Sequence, residues 1–163
     1  MTSAAHDPAR ALLRHTLATL AYRGGKALRG VVPEVAGFRA GATTRTPLEI
    51  LSHINHLFDW ALNLCDGQHV WRELAAAEWD EEVARFHRGL EAVDARLAAP
   101  APLGFPAEKI FQGPIADALT HVGQIALLRR LAGAPVRGEN YFRAKIEAGR
   151  VGAEQAAPAR EFD

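Results

Sequence analysis

Two helical patterns in this sequence carry side chains able to bind a metal ion or move a proton: His53 and His56 in one, Asp117 and His121 in the other. Asp117 and His121 are four residues apart, so on a helix they share a face, with about 5–6 Å between Cβ atoms. They border an apolar arc of Ala118, Val122 and Ile125. In the earlier pattern, at ~100° per residue, Ile50, Ile54, Leu57, Ala61 and Leu64 form the apolar arc. His53 falls inside that arc, and His56 falls with Glu49, Ser52, Asp59 and Asn63 on the polar face. His53 is therefore expected to point inward and His56 toward water. An inward imidazole needs a partner, because burying an unpaired polar group costs roughly 1–3 kcal/mol. Asp117 and His121 on a facing helix offer one. Two histidines and one carboxylate, His53, Asp117 and His121, can hold a divalent metal ion and leave coordination positions open, as in catalytic zinc and non-haem iron sites. The bland alternative uses the same residues without an ion: a hydrogen-bonded Asp–His pair on a wet face and a satisfied core histidine.

Other reactive residue types offer less. His6, His15 and His69 are expected at the terminus or surface, and His87 follows Phe86 at the edge of an apolar seam, where packing is expected. Cys65 lies in the apolar arc and reads as a small core residue. The only serines, Ser3 and Ser52, stand in no nucleophile elbow. Gly24-Gly25-Lys26 resembles the end of a phosphate loop, but Leu20 and Ala27 occupy the positions that need a glycine and a hydroxyl.

The elements that must position the site follow from caps and periods. Asp7-Pro8 reads as an N-cap and first helical residue, opening a helix with Leu13, Leu17 and Leu20 inward, which runs to about Tyr22 and ends or loosens at Gly24-Gly25. Residues 30–45, with three glycines and Pro33, read as a long loop, and loops of that length are often functional. Thr46-Pro47-Leu48-Glu49 is a capping box that starts the second helix, ending near Gly67. Trp79, Val83, Phe86, Leu90, Val93 and Leu97 give a third helix an inward seam of alternating spacings of four and three. Residues 98–106 break the pattern. The fourth helix is expected after Gly113-Pro114, ending at Gly133 with Pro135 beyond and with Arg129 and Arg130 at its negative end. No stretch alternates as a strand would. The expected fold is all-α, an antiparallel four-helix bundle in one domain over residues 1–163, with Tyr141-Phe142 docked and a tail from about 150 that frays.

Composition narrows the partners. The 163 residues carry 19 basic and 19 acidic side chains, so the electrostatic footprint of nucleic acid or an anionic membrane surface is missing. No apolar run nears the 18 or so residues of a membrane span, and Arg14 and His15 interrupt the only leucine-rich stretch resembling a signal peptide. The chain is expected to be used whole. One cysteine excludes an intrachain disulfide and fits a reducing, cytoplasmic setting.

The stretches Thr46-Pro47-Leu48-Glu49-Ile50-Leu51-Ser52-His53-Ile54 and Asp117-Ala118-Leu119-Thr120-His121-Val122-Gly123-Gln124-Ile125 resemble the DinB-like (DinB/YfiT-like) superfamily of four-helix-bundle metalloenzymes. The resemblance runs in order and spacing from the first helix to about Phe142. It implies a divalent metal held by His53, by His121 and by the position that Asp117 occupies, where histidine is usual. A carboxylate there leaves zinc, nickel, iron and manganese all open. The resemblance also implies a small-molecule substrate, a low-molecular-weight thiol such as bacillithiol, mycothiol or glutathione as co-substrate, and a homodimer. The expected activity is S-transfer or isomerisation on small electrophiles. Metal-dependent hydrolysis of a small substrate, and a non-catalytic dimeric bundle that binds a ligand or partner, remain the alternatives. Pocket walls are expected from residues 30–45 and 98–113.

Overall fold

The computed structural model describes residues 7–162, so His6 lies outside the described residues. The chain is all-α: α1 (Pro8–Leu28), α2 (Pro33–Ala36), α3 (Pro47–Cys65), α4 (Trp79–Ala98), α5 (Ala107–Ile110) and α6 (Ala116–Leu131), with one two-stranded pairing near the end. Helix α3 packs against α4 and α6, and α1 packs against the same two. One apolar core fills the space between them, built from Leu13, Leu17 and Leu20 of α1, Ile50, Ile54, Leu57 and Ala61 of α3, Phe86, Leu90, Val93 and Leu97 of α4, and Ala118, Val122 and Ile125 of α6. No helix among the described residues is long and apolar enough to cross a membrane.

Helix starts follow the local chemistry. The Asp7 carboxylate accepts hydrogen bonds from the backbone amides of Ala9 and Arg10 (3.0 and 3.4 Å), and Pro8 sits where no amide is needed. At α3 the capping box closes both ways: Glu49 N–H donates to Thr46 Oγ1 (3.1 Å) and Thr46 N–H to Glu49 Oε2 (2.7 Å). That lock fixes the rotational phase of the helix that carries His53.

Two boundaries differ from the sequence expectation, each for a structural reason. Helix α1 continues through Gly24-Gly25 to Leu28 instead of ending near Tyr22. Gly24 is there for Phe86 of α4: a Cβ on it would stand 2.5 Å from the ring's Cζ, so only a glycine lets the aromatic ring lie on the helix backbone. The last major helix starts six residues before Gly113, at Ala107, and passes through Pro114 by widening into a π turn over Phe111–Ile115. Proline has no amide for the normal helical bond and its ring crowds the carbonyl four residues back, and the wider turn accommodates both. At the far end α6 closes as expected at Gly133 (φ 81°), where Ala134 N–H donates to Arg129 O (2.8 Å) and Gly133 N–H to Arg130 O (3.1 Å). Arg129 does more than face its own helix end. Its guanidinium donates to the carbonyls of Ala27 and Arg29 (2.8 Å each), which joins the last turns of α6 and α1.

Beyond α6 the chain, expected to fray from about 150, returns to the helices. Gly138–Glu139 pairs antiparallel with Glu161–Phe162. Buried Lys26 of α1 ties both strands, donating to Glu139 Oε2 (2.9 Å) and Glu161 Oε1 (2.8 Å), while the Tyr22 hydroxyl donates to Glu139 Oε1 (2.5 Å). Of the expected aromatic pair, Tyr141 docks edge-on to Tyr22 with Arg23 over its face, and Phe142 stands 97% exposed.

Two glycine replacements of opposite sign test this packing. Gly24→Ala forces the Phe86 ring to move, and overpacking of that kind costs about 1–3 kcal/mol, more than the ~1 kcal/mol gained in helix propensity. Gly123, on the open face of α6, has nothing within 4 Å of an added Cβ. Gly123→Ala should stabilise by about 0.5–1 kcal/mol. Urea unfolding of both variants measures the two signs.

Candidate metal centre

Helix α3 presents His53 between its buried residues Ile50 and Ile54, at the face that meets α6. On α6, Asp117 is in the first turn, immediately after the π widening, and His121 is one turn further on. The structure brings the three expected residues together. His53 Nε2 lies 3.7 Å from Asp117 Oδ2, and His121 Nε2 lies 3.4 Å from Asp117 Oδ1. The imidazole rings of His53 and His121 stand nearly perpendicular with centroids 4.8 Å apart. One donor atom from each residue lies within 4.8 Å of the other two. Donors bound tetrahedrally at about 2.1 Å to one ion are about 3.4 Å apart, and each imidazole Nε2 is near that distance from one oxygen of the Asp117 carboxylate, His53 from Oδ2 and His121 from Oδ1. Asp117 is 47% exposed, and its Oδ1 also accepts from Thr120 Oγ1 (3.4 Å).

The surroundings suit metal ligands as well as the donors do. Gln124 Oε1 lies 2.7 Å from His121 Nδ1; with the proton placed on Nδ1 for that bond, the Nε2 lone pair is left facing Asp117. Burial, reinforced by the neighbouring charges of His121 and Arg45, holds the His53 imidazole below its ordinary 6.5, so it is neutral at pH 7 as a ligand must be. Its Nδ1 is buried without a hydrogen-bond partner, with Glu73 Oε1 the nearest carboxylate oxygen at 3.7 Å.

His56 is where the sequence reading fails. Expected on the water-facing side of its helix, it is only 2% exposed. The cover comes from residues 67–78, an irregular segment laid along that face of α3. His56 Nε2 accepts the Leu74 amide (3.1 Å), Asn63 Nδ2 donates to Val70 O (3.3 Å), and buried Glu82 accepts the Ala77 amide (2.9 Å) and Asn55 Nδ2 (2.7 Å). These bonds, with Arg85 nearby, hold the Glu82 carboxyl below its ordinary range although burial alone pushes the other way. The segment also delivers Trp71, whose ring meets both His53 and His56 at centroid distances of 5.5 and 6.2 Å. Trp71 and Glu73 were not singled out from the sequence, because nothing periodic marks residues 67–78. Gln124 had a readable signal, three residues after His121 on the same helix face.

The other described histidines fall as expected. His15 and His69 are exposed, His69 stacking on Trp60 (5.6 Å), and His87 is half-buried against Phe86 (5.2 Å). Cys65 is buried in the core, where burial raises its thiol pKa. The clefts beside the three donors are walled by residues 39–45 and 73–76 and by α6; residues 98–113, expected to contribute, do not line them.

Comparison of the chain with protein-family models, with curated proteins and with solved structures gives no match.

Burial also holds His56 and His87 below 6.5. For each, the unfolded chain takes up a proton before the folded one does, so their contribution to stability is complete above the ordinary value and declines as pH falls below it. Urea midpoints should therefore drop between about pH 7.5 and about pH 5.5. In His56→Ala the drop should be shallower, and the Leu74 amide, left without its acceptor, should exchange with deuterium faster than in the parent.

Proposed function

We propose that this chain is a divalent-metal-dependent enzyme acting on a small molecule, with His53, Asp117 and His121 as the metal ligands, on an antiparallel four-helix bundle. The supporting observation is the convergence of two imidazole Nε2 atoms and one carboxylate from two different helices at the edge of a solvent-accessible cleft. A bound ion supplies Lewis acidity, which lowers the pKa of a thiol or water beside it and makes a nucleophile available at neutral pH.

The chain's own residues do the rest. Gln124 keeps a proton on His121 Nδ1, so that the ring cannot turn its donor atom away. Asp117 contributes the one negative charge among the ligands, which favours a hard ion such as manganese or iron(II) more than three histidines would. Trp71 covers His53 and His56 on one side, restricting water to the cleft side. S-transfer from a low-molecular-weight thiol to a small electrophile is the reaction that we assign, on the likeness of the two motifs to those of DinB-like proteins.

His53→Ala and His121→Ala should each weaken metal binding by at least about 100-fold, while His15→Ala changes it little. Asp117→His should shift preference toward zinc or nickel. Competition titrations read both. Activity against a panel of electrophiles should need both metal and thiol; turnover of a small ester without thiol would make the chain a hydrolase instead, and an absence of metal binding would remove the proposal.

A further inference from the structure

The two clefts beside the three donors share a wall. One, of 310 Å³, is lined by His53, Ser52 and Glu73, the other, of 380 Å³, by His121, Gln124 and Leu127, and Thr44 and Arg45 line both. Volumes of this size are at the small end of small-molecule sites, roughly 300–1,000 Å³. Arg45 therefore stands at their junction, between the two histidine ligands.

Its charge is uncommitted. The other arginine of this wall, Arg39, is held by both oxygens of Glu49 (2.9 and 3.1 Å) and by the Thr44 carbonyl. Arg45 is exposed and makes no hydrogen bond or ion pair among the described residues. Glu73 lines the same cleft, yet its one close charged contact is His53. Position is not left to chance: Arg45 directly precedes Thr46, whose capping box anchors the backbone at that point.

We propose that Arg45 is an anion-binding residue that selects substrates or co-substrates carrying a carboxylate next to the group that reacts. This rests on the metal-dependent reading given above. The charge balance favours an anion: a divalent ion with the Asp117 carboxylate keeps one net positive charge and Arg45 adds a second. Glu73 in the same cleft removes one and Arg39 cancels Glu49, which leaves one net positive charge with Arg45 as its uncommitted donor. A single guanidinium fork matches the two oxygens of a planar carboxylate. Phosphate is a poorer fit. Its usual additional donors are the free amides of a helix N-terminus, whereas at α3 the Glu49 amide is taken by Thr46 and the Glu49 carboxylate stands there to repel a dianion. Ile50, Leu127 and Leu128 give the 380 Å³ cleft an apolar floor for the carbon chain of the ligand, and Leu127 is 56% exposed. Among thiols, those bearing a carboxylate, such as glutathione, fit this wall better than those without one.

The test compares 3-mercaptopropionate with 3-mercapto-1-propanol, thiols of equal chain length that differ in the charged group. Dissociation constants are read from the thiolate-to-cobalt absorbance of the cobalt(II)-loaded chain. The acid should bind at least about tenfold more tightly to the parent protein. Arg45→Met should close that gap without changing the affinity of the alcohol, and Arg88→Met, on the exposed side of α4, should leave the gap intact. Equal affinities in the parent, or a gap that survives Arg45→Met because the acid chelates cobalt unaided, would overturn the proposal. A second arm needs no metal: propionate should shift the Arg45 Nε–H resonance of the metal-free chain and 1-propanol should not. No shift overturns the anion site, whereas failure of cobalt to bind overturns the metal reading and leaves this arm to decide the anion site.

Discussion

The contact between α3 and α6 is the constraint on which the site depends. Each helix carries only part of the proposed ligand set. Their relative phase is fixed by apolar packing, with Ile50, Ile54 and Leu57 on one side and Ala118, Val122 and Ile125 on the other, all but fully buried. Each row places its polar neighbour at the same edge of the contact: His53 beside Ile54, Asp117 beside Ala118, His121 beside Val122. Two local devices then hold the phase against rotation. The Thr46–Glu49 capping box sets the start of α3, and the π turn over Phe111–Ile115 takes up Pro114 just ahead of Asp117. A one-residue slip in either helix, ~100° of rotation, would carry a ligand out of the site.

Outside that contact, long basic side chains do much of the fastening. Arg10 reaches the carbonyls of Ala99 and Ala101 (2.6 Å each), Arg14 grips Asp94 with two bonds, and Arg129 joins the ends of α1 and α6. Lys26 and Tyr22 hold the returning terminal strands through Glu139. These contacts satisfy carbonyls that helix ends leave unpaired and charges that burial would otherwise penalise. The balance of 19 basic and 19 acidic residues thus reflects, in part, internal pairing, with Arg45 left over at the site.

What was legible in the sequence is what is encoded locally. The start of α3 follows from four consecutive residues, the seam of α4 from its alternating spacings, and the meeting of His53 with Asp117 and His121 from two helical phases read independently. What was not legible depends on a distant partner. Gly24 looks like a helix breaker until Phe86 is placed against it, and Pro114 looks like a start signal until the wider turn is seen. His56 sits on a face that is polar by composition, and only the aperiodic segment 67–78 turns it into a buried acceptor. The same segment brings Trp71 and Glu73 to His53, so the wall of the site that sequence periodicity could not locate is the wall without periodicity.

The central claim is that His53, Asp117 and His121 hold one divalent ion between α3 and α6. Crystals of the protein grown with manganese, measured on both sides of an absorption edge, test it by the position of the anomalous scatterer. The account predicts a single strong peak within about 2.3 Å of His53 Nε2, His121 Nε2 and an Asp117 carboxylate oxygen. A protein with the same helices but no peak among these three side chains, or with its peak at His56, would contradict it.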